Sequence, residues 1–282
     1  MLRERAWNNE EIVMNDTEDA AIATVDLCKR FDGFTALEGL SLTVGRGLIF
    51  GLLGPNGAGK STTIKILTTL LDASSGAAVV AGYDVAKKPV DVRRHIGYVP
   101  QMVSADGGLT GYENLCLSAS LYGLRGARRE ERISEALAFS GLQEVAAKLV
   151  RTYSGGMIRR LEIAQATLHY PEVLFLDEPT IGLDPVARRA VWERLKHLRQ
   201  AKGMTILITT HDMEEADILC DELAILHQGR LAALGKPAEL KAQVGPQATL
   251  EDVFVHFSGA VIDQGGNFRD IRESRGTIQR LG

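Results

Sequence analysis

The chain has 282 residues, of which 45% are hydrophobic and 24% charged, with a formal net charge of −4. Such a length fits one large domain or two small ones, the balance is that of a soluble globular protein, and the lack of a long basic block argues against a chain built to hold nucleic acid. Three scattered cysteines, Cys28, Cys116 and Cys220, form no CxxC pair, which argues against a disulfide framework or a zinc site and fits a reducing cytoplasm.

Residues 1–20 are polar and aperiodic and are expected to be a loose tail without a signal-peptide shape. No apolar run approaches the ~18 residues that span a bilayer, so the chain is expected to be soluble, with any membrane part supplied by another polypeptide. From Ile22 to Val44, β-like runs flank a turn at Asp32-Gly33. Three later segments, "LIFGLL" (48–53), "VLFLD" (173–177) and "TILITT" (205–210), are short, nearly continuous apolar or β-branched runs. Strands buried on both faces of a parallel sheet read this way.

A helical pattern follows each run. The first spans Ser61 to Leu71, with Ile64, Leu67 and Leu71 on one face. The second starts with Asp184 as N-cap and Pro185 at the first helical position, and lines up Val191, Leu195 and Leu198. In the third, "HDMEEADIL", Asp212 and Glu215 have capping-box spacing. Between the first and second units, residues 102–170 read as a helical subdomain, inserted into an α/β core with a mostly parallel sheet. The expected organisation is a tail at 1–20, a core domain at 21–235 and an extension at 236–282. In that extension "TLEDVFVHFSG" reads as one amphipathic helix and the last ~20 residues as loose.

The loop after the first run, Gly54-Pro55-Asn56-Gly57-Ala58-Gly59-Lys60-Ser61, satisfies G-x-x-x-x-G-K-[ST] and is followed by Thr62. A loop that wraps a triphosphate must turn successive backbone N–H groups inward, and side chains would block that approach. Gly57 and Gly59 leave the backbone bare and permit positive φ. Lys60 can reach the outer phosphates, the Ser61 hydroxyl can ligate Mg²⁺, and the helix that follows aims its positive end at the anion.

In open α/β sheets ligands bind beyond the carboxyl ends of the strands. The second run delivers Asp177 and Glu178 there. Alone, such a pair reads as a helix cap or a solvated turn. Beside a phosphate loop, Asp177 suits Mg²⁺ and Glu178 suits a water to be oriented or deprotonated. The third run delivers His211, whose imidazole at that edge can contact a γ-phosphate.

These motifs, in this order, resemble the nucleotide-binding subunits of ATP-binding cassette (ABC) transporters. After the phosphate loop comes "IGYVPQ", whose Gln101 matches the glutamine loop of that family, which also implies a role at the metal. "YSGGM" (153–157) matches the family signature, "LFLDEP" the acidic strand, "GLDP" (182–185, with Asp184) the D-loop, and His211 the histidine switch. Phe31 stands where the family stacks an aromatic ring on adenine, in place of the commoner tyrosine. The signature usually reads L-S-G-G-Q. Here Tyr153 and Met157 occupy its ends, while Ser154, Gly155 and Gly156 are intact and Ser154 is the expected N-cap of a helix. The resemblance implies a P-loop NTPase cassette fold with an N-terminal antiparallel β region. It also implies hydrolysis of ATP with Mg²⁺, and a sandwich dimer with a second copy or a paralogous cassette whose signature closes on the γ-phosphate.

The stretch "SADGGLTGYENL", the signature "YSGGM" and the tail "TLEDVFVHFSG" resemble the efflux ATPases of the daunorubicin-resistance type. These pair with a separate integral membrane permease, which implies a peripheral position on the cytoplasmic face of the membrane. A soluble non-transport ATPase of the same fold and an importer ATPase stay as alternatives. A P-loop kinase or GTPase is disfavoured because no N-K-x-D guanine reader is present and neither accounts for "YSGGM".

Overall fold

The structure is a computed structural model that describes residues 20–262 and 268–270. The expected tail at 1–20 therefore lies outside the described residues except for Ala20, which opens the first strand; the C-terminal stretch expected to be loose lies outside them too except for Phe268–Asp270, which pairs as a strand with Ala260–Ile262.

Strands β1 (Ala20–Phe31), β2 (Phe34–Gly45), β4 (Ser75–Val80) and β5 (Tyr83–Asp84) form an antiparallel sheet in the order β2-β1-β4-β5. The main sheet comprises β3 (Ile49–Leu53), β6 (Ile96–Val99), β7 (Val173–Asp177), β8 (Thr205–Thr210), β9 (Glu222–His227) and β10 (Arg230–Gly235). Its order is β10-β9-β3-β8-β7-β6, parallel throughout except for the β9–β10 hairpin. Register pairs Leu53 with Thr210 and Asp177 with Thr209. The carboxyl ends of β3, β8 and β7 therefore stop at one level, side by side.

The continuous apolar runs have a physical cause: alternate residues serve two cores. Phe50, Leu52, Val173, Phe175 and Leu207 face the antiparallel sheet and helix α1 (Lys60–Leu67). Ile49, Leu53, Leu174, Leu176, Ile206 and Ile208 face the opposite way. That second face is covered by α6 (Pro185–Lys202) and α7 (Met213–Leu219), and also by α8 (Pro237–Val244) and α9 (Leu250–Ser258). Leu240, Leu250, Val253 and Phe254 thus share a core with β3 and β7. Phe254 alone, fully buried, contributes about 2–3 kcal/mol.

The helical subdomain holds α3 (Gly111–Leu121), α4 (Gly126–Ser140) and α5 (Gly155–Thr167) around Leu115, Ile133, Leu137 and Leu161. Helix α5 belongs to both units, since its Ile163 and Ala166 reach the core of the main sheet. A short helix α2 (Pro89–His95) leads into β6.

Two local expectations are corrected. Helix α1 ends at Leu67 rather than Leu71, because Thr69 adopts φ +62, which an α-helix cannot continue. Asp212 caps α7 by accepting from the Glu215 N–H at 3.0 Å. The reciprocal half of the box is missing, because the Glu215 carboxylate is buried and bonded to Thr180 Oγ1 (2.7 Å) and Trp192 Nε1 (2.9 Å) instead.

Candidate active site

Strand β3 runs directly into the phosphate loop. At Gly59, φ is +105, and an added Cβ would sit 2.7 Å from Leu37 Cδ2 and 2.8 Å from Ala36 O, so β2 and the backbone both demand glycine. At Gly57, φ is +81 and a Cβ would meet only open space, as a loop that must admit a ligand requires. Pro55 and Asn56 lie on the accessible side of this loop, Ala58 is buried beneath it, and Thr62 is half-buried on the first turn of α1.

Lys60 is only 4% exposed. Its ammonium donates to Gly54 O at 2.7 Å and Pro55 O at 3.2 Å, and lies 3.5 Å from Glu178 Oε1. Burial lowers the Lys60 pKa, and the Glu178 carboxylate opposes that shift. The Ser61 hydroxyl donates to Asp177 Oδ1 at 3.1 Å, and Thr209 donates to the same oxygen at 2.5 Å. The Tyr98 phenol is pushed up to about 12, first by burial and then by the Asp177 charge.

Glu178 is the hub. It is 6% exposed, and its backbone adopts φ +49, unusual for a residue with a side chain. Holding it there costs about 1–2 kcal/mol, which surrounding bonds must offset. Its N–H donates to Thr209 O (3.2 Å) and Thr209 Oγ1 (3.0 Å). Its carboxylate meets Lys60 and His211 Nδ1 (3.2 Å) through one oxygen, and accepts from Gln101 Nε2 (3.3 Å) through the other. Direct contacts therefore gather six of the residues singled out in the sequence: Lys60, Ser61, Gln101, Asp177, Glu178 and His211. Gln101 enters through Glu178 and not through the Ser61–Asp177 pair.

That pair fits a magnesium ion. A hydroxyl and a carboxylate oxygen converge, both hard ligands, and Mg²⁺ commonly takes only one or two protein oxygens while keeping several waters.

The signature stands elsewhere. Ser154 caps α5, its Oγ accepting from the Met157 N–H at 3.3 Å, and Ser154 and Gly155 are exposed. At Gly156 a Cβ would lie 2.7 Å from Ala187 Cβ, so α5 and α6 touch at their first turns. Asp184 caps α6 through Val186 N (2.9 Å) and Ala187 N (3.0 Å). Met157 packs against the core of the helical subdomain, and Tyr153 is buried and donates to Val145 O at 2.7 Å. The two departures in the signature are thus packing residues, and the exposed donors remain those of Ser154 and Gly155. Phe31 closes β1, 47% exposed, with the Lys29 ammonium 5.1 Å from its ring centre.

Sequence reasoning missed Thr209, which orients Asp177 and holds the Glu178 backbone. Its only signal is a pair of threonines closing an apolar strand. It also missed Arg159 and Glu162, buried on α5 behind the Glu178 loop, where a charged residue on a helix reads as solvated.

The ABC transporter family profile matches residues 37–181. The chain is 47% identical to the daunorubicin/doxorubicin resistance ATP-binding protein DrrA of Streptomyces peucetius over 232 residues, 82% of this chain and 70% of that protein. Among solved structures, it resembles an ATP-binding subunit of an ABC transporter with TM-score 0.75 and 35% identity, covering 84% of this chain and 99% of that one. A second likeness, with TM-score 0.69 and 25% identity over 76% of this chain and 98% of the other, is to a dimeric ATP-binding cassette in a post-hydrolysis state with ADP and Pi. The site geometry and these relationships converge, and the chain belongs to the ABC transporter family as one of its ATP-hydrolysing, ATP-binding subunits.

Proposed function

We propose that this ATPase drives export of a drug-like or lipid-like compound through a separate membrane permease, by closing as a head-to-tail dimer over two ATP molecules. The export reading is supported by the likeness to a daunorubicin/doxorubicin resistance protein. The dimer reading is supported by one observation: the helix start at Ser154 and Gly155 is exposed, and the neighbours beneath it are Leu183, beside Gly155, and Ala187 of α6, beside Gly156, rather than the phosphate loop of its own chain. Its bare N–H groups and helix dipole suit a phosphate held by another subunit, a second copy or a paralogous cassette.

The chain's own residues then act in sequence. Phe31 stacks on adenine. Gly54 to Thr62 wrap the phosphates with backbone N–H groups, and the Lys60 ammonium exchanges Glu178 and two carbonyls for phosphate oxygens. Ser61 and Asp177 would hold Mg²⁺, and Gln101, which bonds Glu178 here, would serve the metal only by turning from that carboxylate. When bound, the ion neutralises charge developing on the β- and γ-phosphates. Once Lys60 has turned to the phosphates, Glu178 can orient and deprotonate water, with His211 and Gln101 fixing its carboxylate. Ser154, Gly155 and Gly156 of the opposing subunit close over the γ-phosphate, and the D-loop residue Asp184 keeps α6 in register beside them. Loss of the bridging phosphate reopens the dimer, a two-state element biased by ligand charge.

A permease segment fits the groove between the core and α3. It encloses about 500 Å³, with Leu70, Leu117, Leu121 and Tyr122 on its walls. All four are exposed. No described helix is long and apolar enough to cross a membrane, so the reading sets the subunit peripherally on the cytoplasmic face, in contact with the bilayer only through its permease.

The test is Glu178→Gln. This variant is expected to bind ATP and to dimerise with ATP and Mg²⁺ in size-exclusion chromatography, yet to hydrolyse ATP at least ~100-fold more slowly. Used as bait on detergent-solubilised membranes, it should co-purify with one multi-span protein in equal amount. Near-normal turnover removes Glu178 from catalysis, and co-purification with ribosomes or DNA-associated proteins ends the transport reading.

A further inference from the structure

Arg159 sits on α5, one and a half turns beyond the signature serine, and is 7% exposed. Its guanidinium reaches four backbone carbonyls on two loops. Nε donates to Pro179 O at 2.8 Å, Nη1 to Pro100 O at 2.8 Å, and Nη2 to Glu178 O at 3.3 Å and Gln101 O at 3.5 Å. Those loops leave the adjacent parallel strands β6 and β7. The charge is balanced by Glu162 at 3.1 Å, one turn along α5 and 3% exposed. Glu162 in turn accepts from Ser104 N (2.5 Å) and Ser104 Oγ (2.9 Å), just past the glutamine loop. Glu162 and Ser104 also line the groove between α3 and the core.

A buried ion pair is weak evidence for stability, since apolar residues of similar volume often serve as well. What apolar residues cannot supply is a planar fork of donors that fixes several carbonyls at once. The carbonyls fixed here belong to Gln101 and Glu178 themselves, whose side chains meet at 3.3 Å, and to the proline beside each. Glu178 also holds φ +49, a conformation that persists only when its surroundings over-determine it. Thr209 holds its N–H and Arg159 holds its carbonyl.

We propose that Arg159, balanced by Glu162, is a positioning residue for ATP hydrolysis: it clamps the loops carrying Gln101 and Glu178 to the signature helix and so sets the Glu178 carboxylate over the phosphate loop. The inference rests on the reading of Glu178 given above. It ties the helix that meets the opposing nucleotide to the hydrolytic carboxylate of the same chain.

The experiment compares Arg159→Lys and the paired change Arg159→Met with Glu162→Met in the full-length chain, each with and without Glu178→Gln. The readouts are thermal midpoint, ATP affinity, kcat and KM. The lysine retains the charge and loses the fork, whereas the paired change strands no charge and carries the test alone should the lysine variant not fold. In folded variants kcat is expected to fall at least ~10-fold while KM and ATP affinity stay within ~3-fold, the signature of a lost transition-state arrangement. In the Glu178→Gln background the same changes should add less than ~2-fold, because residues acting as a unit are not additive. A kcat within ~2-fold of the parent, or an undiminished loss on top of Glu178→Gln, overturns the proposal and leaves Arg159 as packing. Normal turnover by Glu178→Gln alone overturns it differently, by removing the carboxylate that Arg159 is said to position.

Discussion

On the proposed function the chain carries two phosphate-directed surfaces, and they are built on opposite plans. At the ends of β3, β7 and β8 the site is made of charged side chains that satisfy one another: Lys60 on Glu178, Ser61 and Thr209 on Asp177, and His211 and Gln101 on the same glutamate. At the start of α5 the surface is made of backbone, with Ser154 capping its own helix and no charged side chain in the motif. A site of paired charges is set in place by its own chain, and a ligand must displace existing partners to enter. A site of bare N–H groups displaces nothing. The first is suited to control chemistry, the second to sense whether a phosphate has arrived from elsewhere.

Removing the cation should break this contrast most. Lys60→Ala is expected to weaken ATP binding by the isolated chain at least ~100-fold and to abolish hydrolysis, in a fluorescent-nucleotide titration and a phosphate-release assay. It also strands a glutamate that is 6% exposed, for about 3 kcal/mol of lost stability. Adding Glu178→Gln should restore most of that stability without restoring binding. If stability does not return, the two groups are not each other's counter-charge.

Gly156→Ala should act with the opposite selectivity. The new methyl would lie 2.7 Å from Ala187 Cβ, so α5 must move away from α6, at a cost of about 1–3 kcal/mol. ATP binding by the single chain is expected to stay within ~2-fold, while hydrolysis falls at least ~10-fold because the donors no longer meet the opposing phosphate. Equal damage to binding would mean that the two surfaces are one site.

The same contrast explains what the sequence disclosed. Asp177, Glu178 and His211 were legible because they end or directly follow a buried strand, and Lys60 and Ser61 because they close a glycine-rich loop that leaves another, so local pattern alone brings them to one sheet edge. The main sheet was legible for the same reason in β3, β7 and β8. It was not legible in β6, four residues long, nor in the β9–β10 hairpin, where β9 follows a helix, β10 follows β9, and charged or small residues interrupt the apolar runs. Arg159 escaped because its function depends on loops some 60 residues upstream and 20 downstream, and a helix-borne arginine has no local mark of burial. Glu215 had the spacing of a capping box, yet Thr180 and Trp192 claimed its carboxylate. Such tertiary partners cannot be read from neighbours in the chain.

The smallest expected effect concerns how the signature helix is anchored at its far end. His169, just past α5, stacks on Tyr122 with ring centres 3.7 Å apart, and its Nε2 lies 3.0 Å from the Ile96 carbonyl at the start of β6. It thereby ties α3 and α5 to the main sheet. Its other nitrogen, Nδ1, is buried without a hydrogen-bond partner. A second proton there would be shielded from water, and burial, aided by nearby His95 and opposed by the bond to Ile96, brings the imidazole down from 6.5 to about 4. The folded-state value lies below the unfolded one, so between those values the unfolded chain binds more protons. The stabilisation is therefore complete above pH 6.5 and is lost as pH falls towards about 4, with no further loss below. A shift of that size is worth at most about 3 kcal/mol, discounted to about 1–2 kcal/mol because the ring is only partly shielded from water. His169→Gln keeps a donor for Ile96 and cannot titrate, so the fall in thermal midpoint between pH 7 and pH 4.5 should be several degrees smaller in the variant. Hydrogen exchange at pH 4.5 should place the acid-sensitive opening in α3 and α5 and leave α1 protected. An equal fall in both proteins would show that acid acts elsewhere. A fall confined to the parent would show that the two phosphate surfaces, besides being built differently, are held by anchors that can be released one at a time.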